Sequence, residues 1–235
     1  MPRATPSPAG ERPGPATDAR RGAIRDFKRQ TILNAAREIF ASQGLEGATL
    51  RAIAQAAGYT PGAVYAYYPT KEAIYADILA GSLLALRIAV EAAGTAASSD
   101  EMRVRRMIRA FFDYYRAHPQ ELDLGFYLFQ GLRPRGLTPD LDRMLNSRLI
   151  AVLLKIRHAL VRLGRLTSEA AHRETVATMC HIAGVLLMAN TGRLKTLDSS
   201  PEPLIDHYID TLVQRLKLNS WDGYQAARTT PEIKL

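Results

Sequence analysis

"TLRAIAQAAGYTPGAVYAYYPTK", residues 49–71, decides how the rest of the chain is read. Thr49 stands directly before a short apolar-periodic run and can accept a hydrogen bond from a first-turn amide, so it reads as a helix N-cap. Gly58 follows that run, where a residue free to take positive φ closes a helix. Thr60 and Pro61 then repeat the start signal, a cap followed by a first-turn proline. Pro69 forbids α conformation at Tyr68, so the second helix must be short. Two short helices joined by a tight turn at Gly58, Tyr59 and Thr60 form a helix-turn-helix pattern. Thr70 and Lys71 open a further helix.

Upstream, Phe27, Leu33, Ala36, Ile39 and Phe40 recur at three- and four-residue steps and predict a first helix that Gly44 ends. Downstream, no sustained two-residue alternation appears, and every boundary carries helix chemistry. Ser98 with Glu101 reads as a capping box, Pro119 restarts a short helix, and Thr138-Pro139, Thr167 and Ser200-Pro201 open three more. The predicted fold is all-α, an N-terminal three-helix domain with the helix-turn-helix followed by a larger helical domain. Residues 1–22, rich in Pro, Gly, Ala and Arg, predict a flexible basic arm. The helix-turn-helix domain follows over 23–70, a helical effector-binding and dimerisation domain over 71–218, and an irregular tail over 219–235.

The 235-residue chain has a formal net charge of +8 and a sequence pI near 9.8, a balance that favours polyanions. Residues 20–72 hold eight Lys or Arg against four Asp or Glu, a net of +4. Cys180, the one cysteine, excludes an internal disulfide and a thiolate zinc site. No apolar run of signal-peptide length opens the chain and no eighteen uninterrupted apolar residues occur later, so the expectation is a cytoplasmic protein without a membrane partner.

The residues of the short second helix suit a DNA groove. Small side chains at Pro61, Gly62 and Ala63 let a backbone approach base edges, and Pro61 or Ala63 can meet a thymine methyl. The Thr60 hydroxyl can cap the helix or meet a phosphate, and the hydroxyls of Tyr65 and Tyr67 can reach flanking phosphates. Val64 and Tyr68 point the other way, into a small core. Lys71, beside unpaired first-turn amides, would clamp a phosphate, and Thr49 with Arg51 would face a second. Arg20, Arg21 and Arg25 belong either to an arm that reaches DNA or to a solvated tail.

The run "TILNAAREIFASQGLEGATLRAIAQAAGYTPGAVYAYYPTKEAIYADIL", residues 31–79, resembles the DNA-binding domain of the TetR family of bacterial transcription regulators. The resemblance rests on AA..IF...G, then T...IA..AG, then G..Y.YY..KE, and covers about a fifth of the chain. It implies that Thr49, Thr60, Ala63, Tyr65, Tyr67 and Lys71 occupy DNA-contacting positions and that Tyr68 is the aromatic core residue. Tyr67 departs from the family's frequent histidine and Pro61 from a position that is commonly polar, so base preference is not carried over. The resemblance further implies a homodimer acting on a palindromic operator in double-stranded DNA, a repressor released by a small effector, with no enzymatic activity and no cofactor.

Two features of the second domain bear on those implications. Ala170, Ala177, Gly184 and Thr191 recur every seven residues, a small-residue seam for a close helix neighbour, and Ile205, Ile209, Leu212 and Leu216 form an apolar stripe suited to a four-helix dimer interface. Candidate effector contacts are Met107, Phe111, Tyr115, Phe126, Tyr127, Phe129, His158, Met179, His181 and Met188, which suit a largely apolar ligand. His158, His172 and His181 make no metal site, since residues nine apart on a helix lie on nearly opposite faces. The alternative to a small effector is a protein partner for the second domain, and cavity volume discriminates the two. No nucleophile with its base, no paired carboxylates beside a cleft and no phosphate-binding glycine loop supports an enzyme.

Overall fold

A computed structural model describes residues 15–122 and 137–218. Among the described residues every regular element is helical. The helices are α1 (Pro15–Gly47), α2 (Leu50–Ala56), α3 (Pro61–Tyr65), α4 (Lys71–Thr95), α5 (Asp100–Ala117), α6 (Pro139–Gly164), α7 (Ser168–Asn190), α8 (Arg193–Thr196) and α9 (Pro201–Lys217). Two compact units, residues 1–75 and 76–235, divide inside α4.

The first unit packs α2 against α1 and α3 against α2. Its core holds Ile32, Ala36, Phe40, Ile53, Ala54 and Val64, closed by Tyr68, Ile74 and Tyr75. Phe40 and Tyr75 meet edge to face with centroids 5.3 Å apart. That contact places the unit boundary after Tyr75 rather than after residue 70, because the first turn of α4 completes this core. Gly44 interrupts α1 with φ 69°, so the chain turns where the expected stop lies.

The arm expected over residues 1–22 is corrected in part: residues 15–22 continue α1 without a break. Pro15 is tolerated at a helix start, Asp18 lies in the first turn, and the alanines and arginines that follow are good helix formers. The extension leaves Ile24 and Phe27 exposed. Other boundaries shift modestly. Ser99, not Ser98, caps α5, accepting from the Met102 amide at 3.1 Å. The helix opened by Thr167 ends at Asn190, because Gly192 adopts φ 72° and starts the short α8.

In the second unit α6 packs against α5 and α7, and α9 against α5, α6 and α7. Ion pairs join Arg105 to Asp210, Arg109 to Asp206 and Arg116 to Glu202. Partner numbers rise on α5 as they fall on α9, so these helices run antiparallel. Such exposed pairs set register more than stability. The apolar contacts come from Phe111, Phe112, Val152, Ile156, Leu160 and Ile182 with Ile205, Ile209, Leu212 and Leu216, all in one core.

That placement corrects the dimer expectation for the last helix. Ile205, Ile209, Leu212 and Leu216 are covered within their own chain, as is Ala170. Ala177, Gly184 and Thr191 are exposed. Of the four seam residues only Ala170, in the first turn of α7, is covered; a drift of about 20° per heptad keeps the other three along one open stripe.

α4 is the one helix among the described residues long and apolar enough to cross a membrane, and half of its apolar stretch is buried. Ile78, Leu79, Leu86 and Val90 account for much of that burial.

A polar seam ties the inner face of α7 to α9. Buried Glu174 receives two hydrogen bonds from Arg215, at 2.8 and 2.7 Å. Thr178 and Tyr208 share a hydroxyl bond of 2.9 Å, and the His181 ring stacks on Tyr208 with centroids 4.1 Å apart. Burial holds the His181 pKa below its ordinary 6.5, outweighing the Leu204 carbonyl, which raises it; His207 lowers it further. A depressed histidine leaves stability intact above 6.5 and costs stability as pH falls from there through the folded value, since the unfolded chain takes the proton first. We expect the stability of His181→Gln to fall less than wild type between pH 7 and 5 in denaturant titrations. Parallel profiles would refute the assignment. Glu101, whose carboxyl is held low by hydrogen bonds from Lys217 and Arg105, acts in the more acidic range around and below 4.5 and does not confuse the comparison.

Candidate nucleic-acid interface and ligand cavity

The turn between α2 and α3 is built from local hydrogen bonds. Thr49 Oγ1 accepts from the Ala52 amide at 3.1 Å and Thr60 Oγ1 from the Ala63 amide at 3.3 Å. At the end of α2 the Tyr59 amide donates to the Ala54 carbonyl and the Gly58 amide to that of Gln55, with Gly58 at φ 72°. This paired closure needs a positive-φ residue at Gly58. α3 is five residues, shorter than expected, because residues 66–67 already turn toward Pro69.

Val64 and Tyr68 anchor α3 inward; Val64 is fully buried, and Arg29 Nε donates to Tyr68 Oη at 3.1 Å. The opposite face is open. Thr60, Pro61, Gly62 and Ala63 are exposed, Tyr65 is 57% exposed, and Tyr67 is half-buried. Thr49 and Arg51 are exposed at the start of α2. A face of small side chains flanked by a phenol, hydroxyls and a guanidinium can approach base edges while donating to phosphates.

Lys71 has a second duty that its spacing did not announce. Its ammonium donates to the carbonyls of Glu46 and Ala48, both at 3.0 Å, and so ties the end of α1 to the head of α4. One of its three donors is left for a phosphate.

The second unit contains a cavity of about 380 Å³, of the size that holds small ligands. α4 supplies Leu79, Ser82 and Leu83; α5 supplies Phe111 and Tyr115; Glu121 and Leu122 follow. α6 contributes Asp142, Leu145, Asn146 and Leu149, and α7 contributes Met179, Cys180, Ile182, Ala183 and Leu186. Of the expected contacts, Phe111, Tyr115 and Met179 line it. The others divide. Met107 is core, and Met188 packs against the core from its edge. His158 borders a separate charged groove with Lys155 and Arg162, and His181 is engaged with Tyr208. Phe126, Tyr127 and Phe129 lie outside the described residues.

At one wall Tyr114 Oη donates to Glu121 Oε2 at 2.6 Å and lies 3.5 Å from Ser82 Oγ. The Tyr115 hydroxyl is held strongly in its neutral form, first by burial and then by Tyr114 and Glu121. Asp142 accepts from Asn146 at 3.1 Å. Sequence reading missed both carboxylates, because nothing in the local pattern around Glu121 or Asp142 separates a cavity wall from solvent.

Residues 32–78 match the family described as bacterial regulatory proteins, tetR family. A stretch of 51 residues is 41% identical to the HTH-type transcriptional regulator UidR of Escherichia coli strain K12, covering 22% of this chain and 26% of that protein. The match thus spans about a quarter of that relative's length. Among solved structures, the fatty acid degradation regulator FadR of Bacillus halodurans superposes with a TM-score of 0.62 at 18% identity, over 86% of this chain and 97% of that one. The TetR family transcriptional regulator PfmR of Thermus thermophilus gives 0.60 at 20% identity, over 77% and 93%. These structural likenesses establish the fold. Over the matched residues the likeness is to bacterial regulatory proteins and to a transcriptional regulator. Residues 32–78 thus carry the helix-turn-helix of the tetR family of bacterial regulatory proteins, and the helical second unit shares the fold of these solved structures.

Proposed function

We propose that this protein is a dimeric, sequence-specific DNA-binding transcription regulator in the bacterial cytoplasm, a repressor released from a palindromic operator by a small, largely apolar effector. The observation that carries the reading is the open face of α3, where Thr60, Pro61, Gly62, Ala63 and Tyr65 are exposed while Val64 and Tyr68 anchor the helix from behind. Thr49, Arg51, Tyr67 and Lys71 supply the flanking phosphate contacts. The net charge of +8 supports a polyanionic partner.

One short recognition helix reads too few base pairs, so a second copy supplies the other half-site, roughly 34–36 Å away. The dimer face we assign is the outer side of α7, where Val176, Ala177, Cys180, Gly184, Leu187 and Thr191 are exposed at helical spacing, beside Leu204 and Leu218 of the α9 segment. The cavity favours a small effector over a protein partner as the signal, since a filled core would favour the partner. Its wall residues Leu79, Ser82 and Leu83 lie further along the helix that Lys71 begins. A ligand that prefers one setting of that helix changes half-site separation and weakens operator binding.

The test is selection of DNA sites from a random pool, followed by anisotropy titrations of the recovered site at several salt concentrations. A palindrome bound by two chains is expected; salt-sensitive binding without sequence preference would sink the reading. Within the same assay Lys71→Ala lowers affinity for all sequences and flattens the salt slope by about one unit. It also costs roughly 1–2 kcal/mol of stability, from the two carbonyl bonds. Changing Ala63 alters which sequence is chosen. A Lys71→Ala protein with an altered sequence preference and an unchanged salt slope would reverse these assignments.

A further inference from the structure

The cavity's charge is as informative as its volume. Its described lining carries two carboxylates, Glu121 and Asp142, and no Lys, Arg or His. Neither carboxylate is in an ion pair among the described residues: Glu121 meets the phenol of Tyr114, and Asp142 the amide of Asn146. Each oxygen pair therefore keeps acceptor capacity for a ligand.

The rest of the wall fits the same ligand. Phe111 and Tyr115 present rings with centroids 5.5 Å apart, and Tyr114 meets Tyr115 edge to face at 5.4 Å. Aromatic faces attract cations through the ring quadrupole, and more so where water is displaced. The thioether of Met179 adds a polarisable, adaptable surface. An anionic head would meet the opposite conditions: two like charges and, among the described lining residues, no cation.

From these observations we infer that the effector is an amphiphilic cation, an apolar body carrying an amine or quaternary ammonium head that Glu121 and Asp142 neutralise beside the Phe111 and Tyr115 rings. The inference rests on the proposed effector role of this cavity and narrows it. It sets the chain apart from any ligand whose head is a carboxylate. Leu79, Leu145 and Leu186 receive the apolar body by burying its surface.

The experiment compares three probes of equal chain length on the full chain, all below their micelle concentrations: decyltrimethylammonium, decanol and decanoate. Calorimetric titration is expected to rank them cation, alcohol, carboxylate, with at least a tenfold step between the first two. Glu121→Gln combined with Asp142→Asn keeps the shape and hydrogen-bonding capacity and should bring the cation to within about threefold of the alcohol. Thermal melts of the variant confirm that it is folded, and Glu121→Gln alone serves if the pair is not. Equal binding of all three probes, or tightest binding of decanoate, overturns the charge preference and leaves the cavity standing as an effector site. Failure of all three to bind overturns the cavity reading and the inference with it.

Discussion

Gly184→Arg yields a folded monomer whose operator affinity is lower by more than a hundredfold. Nothing lies within 4 Å of a Cβ built at Gly184, so the arginine leaves the backbone into open space. Within α7 the change even removes a helix-interior glycine, which costs about 1 kcal/mol relative to a good helix former. Thermal stability of the isolated chain is therefore held or raised. A partner helix approaching Ala177, Cys180 and Gly184 would instead meet a long cation against small, apolar surface, and an unpaired charge there opposes association. Losing the dimer uncouples the half-sites. The contacts of one half-site exceed roughly 3 kcal/mol at 1–3 kcal/mol per base pair, which sets the hundredfold. Sedimentation equilibrium and anisotropy on the selected site check both parts. A variant that remains a dimer would remove this face of α7 from the interface.

How much of this could be read beforehand follows from the range of the interactions involved. Thr49, Gly58, Thr60, Thr138 and Thr167 were legible because a cap is written within three or four residues, and each is found at its helix end. Val64 and Tyr68 were legible as core for the same reason, by their four-residue spacing on a short helix. The stripe Ile205, Ile209, Leu212 and Leu216 was legible as apolar but not as to what covers it. A helix buried by its own chain and one buried by a partner show the same periodicity. The cavity was less legible still. Phe111, Tyr115 and Met179 were found as aromatic and thioether residues, but Glu121 and Asp142 come from segments apart in sequence whose convergence is tertiary.

Lys71 shows the same limit at a single residue. Its place at the head of α4 suggested an anion contact, and the structure gives two of its donors to Glu46 and Ala48. The two roles are compatible. Fixing the ammonium against two carbonyls removes rotamer freedom before DNA arrives, so less entropy is lost when its remaining donor meets a phosphate. The pairing also explains why a small module with short helices keeps α4 seated on the end of α1.

Phe111→Ala and Phe112→Ala separate the cavity from the core it is cut into. Both rings are buried in the same cluster, and truncating either should cost about 3–5 kcal/mol in denaturant unfolding. Their surroundings differ: Phe111 lines the cavity, whereas Phe112 does not and lies under the Arg109 guanidinium, 5.8 Å from its centre. Removing Phe111 enlarges space that a ligand already reaches; removing Phe112 leaves a void closed off by its neighbours. A ligand that binds only the folded chain stabilises it by mass action, so an added alcohol reports which void is accessible. Dodecanol, longer than the space in the wild type favours, should restore more stability to Phe111→Ala than to Phe112→Ala at equal concentration. Equal restoration of both variants would mean that the cavity continues behind Phe112, and the wall described here would be misplaced. A loss below about 1.5 kcal/mol for either variant would show that the cluster collapses around the missing ring, outside the range seen for well-packed cores.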